Sequence, residues 1–276
     1  MKLQLRNIID NNTSVHDPAL LTEHGLSFFL EKDNTRFLYD VGASDKFVFN
    51  AERMGISLSE IDTLVLSHGH RDHTGGLDAF LSVNKHASVY ASASIAQDSY
   101  YSLRHEKKRD ISTDRALLSE SKQFVPILCN RFLTPHVAIV YNACSDHPMP
   151  KANAFLSVKD SAGERLDNFE HEVSLCIKEP KGLVVLSACS HNGVLNILDS
   201  CCKTMQDNRV LAFIGGAHLL DGYEALSDLN YFTQTIKTNY PEMRLVTGHC
   251  TGEQSFQTLK DYLGDKLQLF YSGWEL

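Results

Sequence analysis

Metal-grade chemistry is concentrated in six residues of this chain, His68-Gly69-His70-Arg71-Asp72-His73. They bring three imidazoles and a carboxylate together over a short stretch. Neutral imidazole and carboxylate are the donors that suit Zn²⁺, Mn²⁺ or Fe²⁺. An apolar run, Thr63-Leu64-Val65-Leu66-Ser67, comes directly before them, and Thr74-Gly75-Gly76-Leu77 directly after. The run reads as a buried strand and the glycines as a tight turn into a helix. The donors therefore sit on a loop at the C-terminal end of a strand, a context that argues for a site over a solvated His-rich loop.

Three later segments repeat this pattern. The run Leu183–Leu186 leads into Ser187-Ala188-Cys189-Ser190-His191-Asn192-Gly193. The run Val210–Ile214 leads into Gly215-Gly216-Ala217-His218, and Leu245-Val246 into Thr247-Gly248-His249-Cys250. Ligands gather at the carboxyl ends of strands in α/β sheets, so four such loops could converge on one pocket. His68, His70, Asp72, His73, His191 and His249 are the candidate metal ligands, with Asp72 also the candidate catalytic residue. His218 is a ligand or a hydrogen-bonding partner for substrate. Cys189 is an alternative ligand, since thiolate binds zinc well. Asp40 ends an earlier strand, where it either orients a ligand histidine from behind or merely makes a turn.

The elements that must position these residues alternate along the chain. A strand is expected over 2–9, a hairpin over Gly25–Glu31 and Arg36–Tyr39, and a helix over Asp45–Met54 stopped by Gly55. A helix over Leu77–Val83 and a strand over Val89–Ala91 follow the metal loop. Residues 98–122 look the least ordered. They carry the basic run Arg104-His105-Glu106-Lys107-Lys108-Arg109, either a solvated face or a lid. Short strands are expected near 124–128, 137–140, 154–158, 172–178 and 183–187. The second half then alternates helices at Val194–Met205, Tyr223–Lys237 and Glu253–Leu263 with strands at Val210–Ile214, Arg244–Val246 and Leu267–Phe270. This pattern predicts an α/β layered fold in one domain over 1–276.

Composition narrows the function classes. At 43% hydrophobic and 22% charged, the 276 residues make an ordinary globular chain. A net charge of −8 argues against a broad nucleic-acid surface. No apolar run reaches about 18 residues and no leader is visible, so neither a membrane span nor export is expected and the chain reads as cytoplasmic. The seven cysteines lack scaffold spacing and read as free thiols. Tyr100, Tyr101 and Trp274 either line a pocket or pack in the core.

The stretch Ser67-His68-Gly69-His70-Arg71-Asp72-His73-Thr74-Gly75-Gly76 resembles the signature of the metallo-β-lactamase superfamily, and Phe37-Leu38-Tyr39-Asp40-Val41-Gly42 resembles its earlier strand-Asp-x-Gly element. Cys189–Gly193, Gly215–Leu219 and Gly248–Gly252 resemble the branch of dihydropterin-aminobenzene-phosphate synthases and their relatives. The resemblance spans nearly the whole chain and implies a four-layer αββα sandwich holding one or two divalent ions, zinc first, with manganese or iron as alternatives. By position, His68 and His70 would hold the first metal, and Asp72 and His73 the second, completed by His249. One departure stands out. Most superfamily hydrolases carry a bridging Asp after the strand that is here Leu183–Leu186, and this chain offers Cys189 and His191 instead. A mid-chain histidine of the family corresponds to His136 or His147. The resemblance implies a metal-dependent hydrolase of an ester or phosphoester, with a pterin-related synthase or a non-catalytic metal-binding sensor as alternatives. The expected partner is a small molecule, anionic or pterin-like.

Overall fold

A computed structural model describes residues 2–104, 107–142 and 144–276. The chain divides into two compact units. One comprises Met1–Leu128, Phe155–Asp167 and Phe270–Leu276; the other comprises Cys129–Ala154 and Asn168–Leu269.

The first unit is built on a six-stranded sheet in the order β1-β2-β3-β4-β5-β8. Its strands are β1 (Gln4–Ile9), β2 (Ser27–Lys32), β3 (Thr35–Tyr39), β4 (Thr63–Val65), β5 (Ser88–Ser92) and β8 (Phe124–Ile127). β1 to β3 run antiparallel, and β3, β4, β5 and β8 run parallel. The β2–β3 hairpin turns on two residues, Asp33 and Asn34, both with positive φ (55° and 59°). That is the turn whose twist matches paired strands, and Asp and Asn tolerate it. Helices α1 (Lys46–Arg53), α2 (Arg71–Thr74), α3 (Leu77–Val83) and α4 (Arg115–Glu120) connect the strands. The core joins Phe47 of α1 and Phe80 of α3 to Leu38, Leu64 and Val89 of the sheet, all fully buried. Each such side chain contributes about 1.5–3 kcal/mol by leaving water.

Outside residues 105 and 106, the segment 98–122 holds more regular structure than its composition suggests. Strands β6 (Ser99–Ser102) and β7 (Arg109–Asp110) join β11 (Leu156–Asp160) and β12 (Gly163–Leu166) in a four-stranded sheet, and Tyr100 is fully buried. The polar composition of this segment reflects its exposed face: Lys108 pairs with Glu164 and lies over the Tyr101 ring at 4.1 Å. Within the basic run, His105 and Glu106 lie outside the described residues.

The second unit is built on a seven-stranded sheet, β17-β16-β15-β14-β13-β10-β9. These are β9 (Arg131–Thr134), β10 (Val137–Tyr141), β13 (Val173–Glu179), β14 (Gly182–Leu186), β15 (Val210–Ile214), β16 (Arg244–Thr247) and β17 (Leu267–Leu269). β14 to β17 run parallel and the rest antiparallel. β14 reads Gly-Leu-Val-Val-Leu and is buried throughout, as a central parallel strand must be. Helix α5 (Val194–Met205) buries Val194, Leu195, Ile197, Leu198, Cys201, Cys202 and Met205 and ends at left-handed Gln206. Helix α6 (Leu226–Asn239) starts three residues later than its periodicity suggests, where Asp228 accepts a hydrogen bond from the Ala225 N–H. Helix α7 (Glu253–Leu263) completes the set. All seven cysteines are free thiols. No helix among the described residues is long and apolar enough to cross a membrane.

Candidate metal centre

The first unit presents its donors at the ends of the parallel strands β3 and β4. Asp40 follows β3 in a left-handed conformation (φ 61°), which an aspartate tolerates better than most residues. Its fully buried carboxylate accepts hydrogen bonds from the Ser67 N–H (2.7 Å) and the Ser67 hydroxyl (2.7 Å), and it pairs with His73 Nδ1 at 2.8 Å. Ser67 Oγ also lies 2.8 Å from His68 Nδ1. These contacts fix two tautomers. Carboxylate oxygens only accept, so His73 must carry its proton on Nδ1. Ser67 spends its one hydrogen on Asp40, so its oxygen accepts from His68 Nδ1–H. Nε2 is then the nitrogen that each ring, once neutral, would offer a metal, as when a protein orients a metal-binding imidazole from behind.

The donors do not all lie on a loop: Asp72 and His73 sit on the one-turn helix α2, with His70 just before it. The segment after β7 pins this turn in place. Arg71 N–H donates to the Ile111 carbonyl (2.7 Å), Thr113 N–H donates to the Gly69 carbonyl (3.0 Å), and His70 bridges Ser112. Tyr100 lies beside His70, ring centroids 5.9 Å apart, and a Cβ at residue 69 would come within 2.2 Å of the Tyr100 ring. Only glycine fits there. The ring centroids of His68 lie 4.5 Å from those of His70 and 4.3 Å from those of His73. The ligand atoms of His68 and His70 fall within 4.8 Å of each other, as do those of Asp72 and His73.

Charge here favours a cation. Burial opposes protonation of His73, yet the Asp72 and Asp40 carboxylates outweigh it and push the imidazole up to about 10. A pocket that holds a proton so firmly is equally suited to a divalent ion, which would take over that stabilisation.

The second unit repeats the arrangement at the ends of β14, β15 and β16. Ser190, His218 and His249 all adopt positive φ (61°, 50° and 53°). The three loops are tied together. Gly216 N–H donates to the Ala188 carbonyl (2.7 Å), Ser190 Oγ donates to the Gly216 carbonyl (2.5 Å), and Ala217 N–H donates to Thr251 Oγ1 (3.1 Å). Gly215 (φ 149°) permits this closeness, because a Cβ there would lie 1.5 Å from the Ser187 carbonyl oxygen.

His191 is held on three sides. Its Nδ1 faces Asn153 Oδ1 at 3.1 Å, while Asn153 Nδ2 donates to the His191 carbonyl at 2.7 Å. The amide oxygen accepts, so His191 also carries its proton on Nδ1 and offers Nε2. Phe169 stacks on the ring (centroids 4.3 Å, 6°) and His218 lies against it (4.2 Å). Buried Glu172 accepts from the backbone N–H groups of His191 (2.7 Å) and Asn192 (2.8 Å). Burial pushes the Glu172 carboxyl up despite these bonds. The ligand atoms of Cys189 and His249 lie within 4.8 Å of each other. The two units thus present sets of His, Cys and Asp donors consistent with divalent metal ions.

Neither mid-chain histidine joins these sets in the described contacts. His136 is exposed on the β9–β10 turn, and His147 bonds Tyr231 Oη (2.7 Å) and Asp199 (3.2 Å). Glu172, Asn153 and Phe169 carry no spacing signal in the sequence, since they reach His191 only through tertiary packing. Ser67 had a visible signal, its place directly before His68.

Fold, strand-end loops and donor chemistry agree with one class: residues 22–135 match the family model of the metallo-beta-lactamase superfamily, and the chain has the α/β metallo-β-lactamase fold. It is 27% identical over 269 residues to the Methanocaldococcus jannaschii 7,8-dihydropterin-6-methyl-4-(beta-D-ribofuranosyl)-aminobenzene-5'-phosphate synthase, covering 91% of this chain and 89% of that one. Among solved structures it resembles Tm1679, described as a metal-dependent hydrolase of the β-lactamase superfamily, with 25% identity, a TM-score of 0.84 and coverage of 100% and 98%. The fold also matches YhfI from Bacillus subtilis, at 12% identity, a TM-score of 0.60 and full coverage of both chains.

Proposed function

We propose that this chain is a metal-dependent hydrolase acting on an ester or phosphoester of a small molecule. In this reading His68, His70, Asp72 and His73 of the first unit and Cys189, His191 and His249 of the second are the metal ligands. The observation that carries it is that Nδ1 of His68, His73 and His191 each meets an oxygen, of Ser67, Asp40 and Asn153 respectively, which makes Nε2 the nitrogen each ring would offer a metal. The likeness to Tm1679 supports the reaction class. A divalent ion held there would supply Lewis acidity and make a nearby water acidic enough to be deprotonated near neutral pH. Asp72, partly exposed where the other unit-one donors are buried, is the carboxylate positioned to accept a proton or orient the attacking group.

A pterin-related transfer with loss of pyrophosphate is the second reading. Two observations favour it: the relative at 27% identity, and the presence of Cys189 and His191 where superfamily hydrolases carry a bridging Asp. The test is elemental analysis of the purified protein followed by a turnover screen. A phosphodiester, a lactone and a thioester would be compared with a dihydropterin pyrophosphate plus an aminobenzene acceptor, each with and without chelator. Hydrolysis that follows added metal supports the first reading, and coupled pterin transfer supports the second. A metal-loaded protein that retains a small molecule and turns over none of these overturns both in favour of a sensor.

A further inference from the structure

Three side chains of the second unit, none of them a metal donor, form a hydrogen-bonded row. His147 Nε2 lies 3.2 Å from Asp199 Oδ2 on α5, and His147 Nδ1 lies 2.7 Å from the Tyr231 hydroxyl on α6. A carboxylate oxygen only accepts, so the proton of a neutral His147 sits on Nε2. Nδ1 is then an acceptor, and the Tyr231 hydroxyl donates to it. The other Asp199 oxygen accepts from the Tyr240 hydroxyl. Burial and that carboxylate push the Tyr240 phenol up, so Tyr240 stays a donor. Asn196 fixes the histidine's backbone: its Oδ1 accepts the His147 N–H (2.9 Å) and its Nδ2 donates to the His147 carbonyl (2.9 Å).

A hydroxyl bonded to a base, with the base held by a third group, is the arrangement that activates a nucleophile. Tyr231 is also accessible, at 45% exposed. It borders a cavity of about 360 Å³, within the size range of small-molecule sites. Met149, Phe232, and Ala217 and Leu219 on either side of His218 give that cavity a mostly apolar lining. Gly193, Val194 and Leu195 bring the start of α5 to the same cavity. That first turn carries no acidic side chain. Its N–H groups lack intrahelical acceptors, so it presents partial positive charge to an oxyanion. Lys151, Glu224 and Asp228 also line the cavity and together carry one net negative charge. Apolar lining and negative charge select an uncharged substrate over an anionic one.

We propose that Tyr231 is a nucleophile activated by His147 and Asp199, and that the cavity takes the acyl group of a small uncharged ester. The Tyr231 oxygen attacks the ester carbonyl carbon while its proton passes to His147 Nδ1, and Asp199 stabilises the imidazolium. The tetrahedral intermediate then expels the alcohol oxygen, which takes that proton from His147 and leaves as the alcohol. An acyl-tyrosine ester remains. Water attacks it in turn, passing one proton through His147 to the departing Tyr231 oxygen, and the carboxylic acid is released. The sum is ester plus water giving acid plus alcohol. No metal ligand takes part, so this activity stands apart from the metal-enzyme reading.

The test uses the full-length, metal-loaded protein and p-nitrophenyl acetate, an uncharged activated ester with a coloured leaving group. Rapid mixing is expected to release a burst of p-nitrophenolate, the kinetic mark of a covalent intermediate. Peptide mapping of the quenched protein should find an acetyl group on Tyr231. Steady hydrolysis at the metal donors leaves no acetyl group there, so the label reads this site alone. Tyr231→Phe removes one oxygen and should abolish both burst and label. His147→Gln should slow acetylation of Tyr231 about 10²–10⁴-fold, the worth of a general base. Both variants should keep the wild-type metal content. Four results would overturn the proposal: no acetyl group on Tyr231, acetylation of Lys151 in its place, a burst that survives Tyr231→Phe, or equal acetylation rates in wild type and His147→Gln.

Discussion

Replacing Asp40 by Asn removes one charge and no volume, and it should disable two metal ligands together. Asp40 Oδ2 receives the Ser67 hydroxyl (2.7 Å) and His73 Nδ1 (2.8 Å), while Oδ1 receives the Ser67 N–H (2.7 Å). In Asp40→Asn the carbonyl keeps the Ser67 N–H, which places the NH₂ group where Oδ2 was. That group donates, so Nδ1 of a neutral His73 must accept and the ring's single proton sits on Nε2. Ser67 Oγ must also accept from the amide, and its hydrogen turns to His68 Nδ1. The His68 proton then moves to Nε2 as well. Two ligating nitrogens become N–H donors without any change in shape.

The loss of one partner that orients a ligand costs about 10–100-fold in metal affinity. Two histidines acting independently bring the expected loss to about 10²–10⁴-fold, or about 3–5 kcal/mol. Chelator competition on the variant measures this directly, and ¹⁵N spectra of the metal-free protein, taken above the His73 titration near pH 10, report which ring nitrogen carries the remaining proton. Ser67→Ala provides the graded control: it unlocks His68 alone, leaves the Asp40–His73 pair intact, and should cost only the single-ligand factor. Retention of wild-type metal affinity in Asp40→Asn, or a larger loss in Ser67→Ala than in Asp40→Asn, would refute the tautomer argument.

Three further outcomes follow from other parts of the structure. Burial raises the Asp10 carboxyl from 3.8 to about 7, so the folded state holds a proton that the unfolded state releases. Stability is therefore full below about pH 4, falls by about 4 kcal/mol as pH rises through 7, and is level beyond. Asp10→Asn should flatten that slope in urea titrations across pH 4–7. Glu172→Ala leaves the N–H groups of His191 and Asn192 without their acceptor. Denaturant unfolding should show a loss of about 2–5 kcal/mol, and elemental analysis should show less bound metal. Gly215→Ala forces a Cβ against the Ser187 carbonyl. The melting temperature should drop by roughly 5–15 °C, and a change under 2 °C would mean the loop relaxes freely.

Elements with local signals were legible from sequence. Helices Leu77–Val83, Val194–Met205 and Glu253–Leu263 fall where apolar periodicity and flanking Gly place them. The hairpin around Asp33-Asn34 is visible for the same local reason. Four strands were missed: Ser99–Ser102 and Arg109–Asp110 within the polar segment 98–122, and Arg131–Thr134 and Gly163–Leu166, which are short, largely exposed sheet-edge segments whose conformation comes from a partner strand rather than from their own residues. The donors at His68–His73 were conspicuous because they are consecutive. The groups that orient them were not, since Glu172 meets His191 across 19 residues and Asn153 meets it across 38. Nothing in residue type distinguishes a buried Glu that organises a loop from an exposed one.

One backbone feature recurs in both units. Asp40, Ser190, His218 and His249 each take a left-handed conformation just past a parallel strand, with φ between 50° and 61°. For a non-glycine residue this costs about 1 kcal/mol or more, and glycine would relieve it. Asp40 and Ser190 recover that cost through the hydrogen bonds their side chains make to neighbouring loops. The two histidines, four residues past β15 and two past β16, share the same backbone conformation, and a glycine there would remove the strain together with the imidazole. Strain at four strand ends therefore marks the places where the fold gives up backbone comfort to present a side chain. His218 belongs to that group as firmly as His249 does, although only His249 falls within a donor set. Its strain, its contact with the His191 ring and its place between two cavity-lining residues argue for a role at the substrate rather than at the metal.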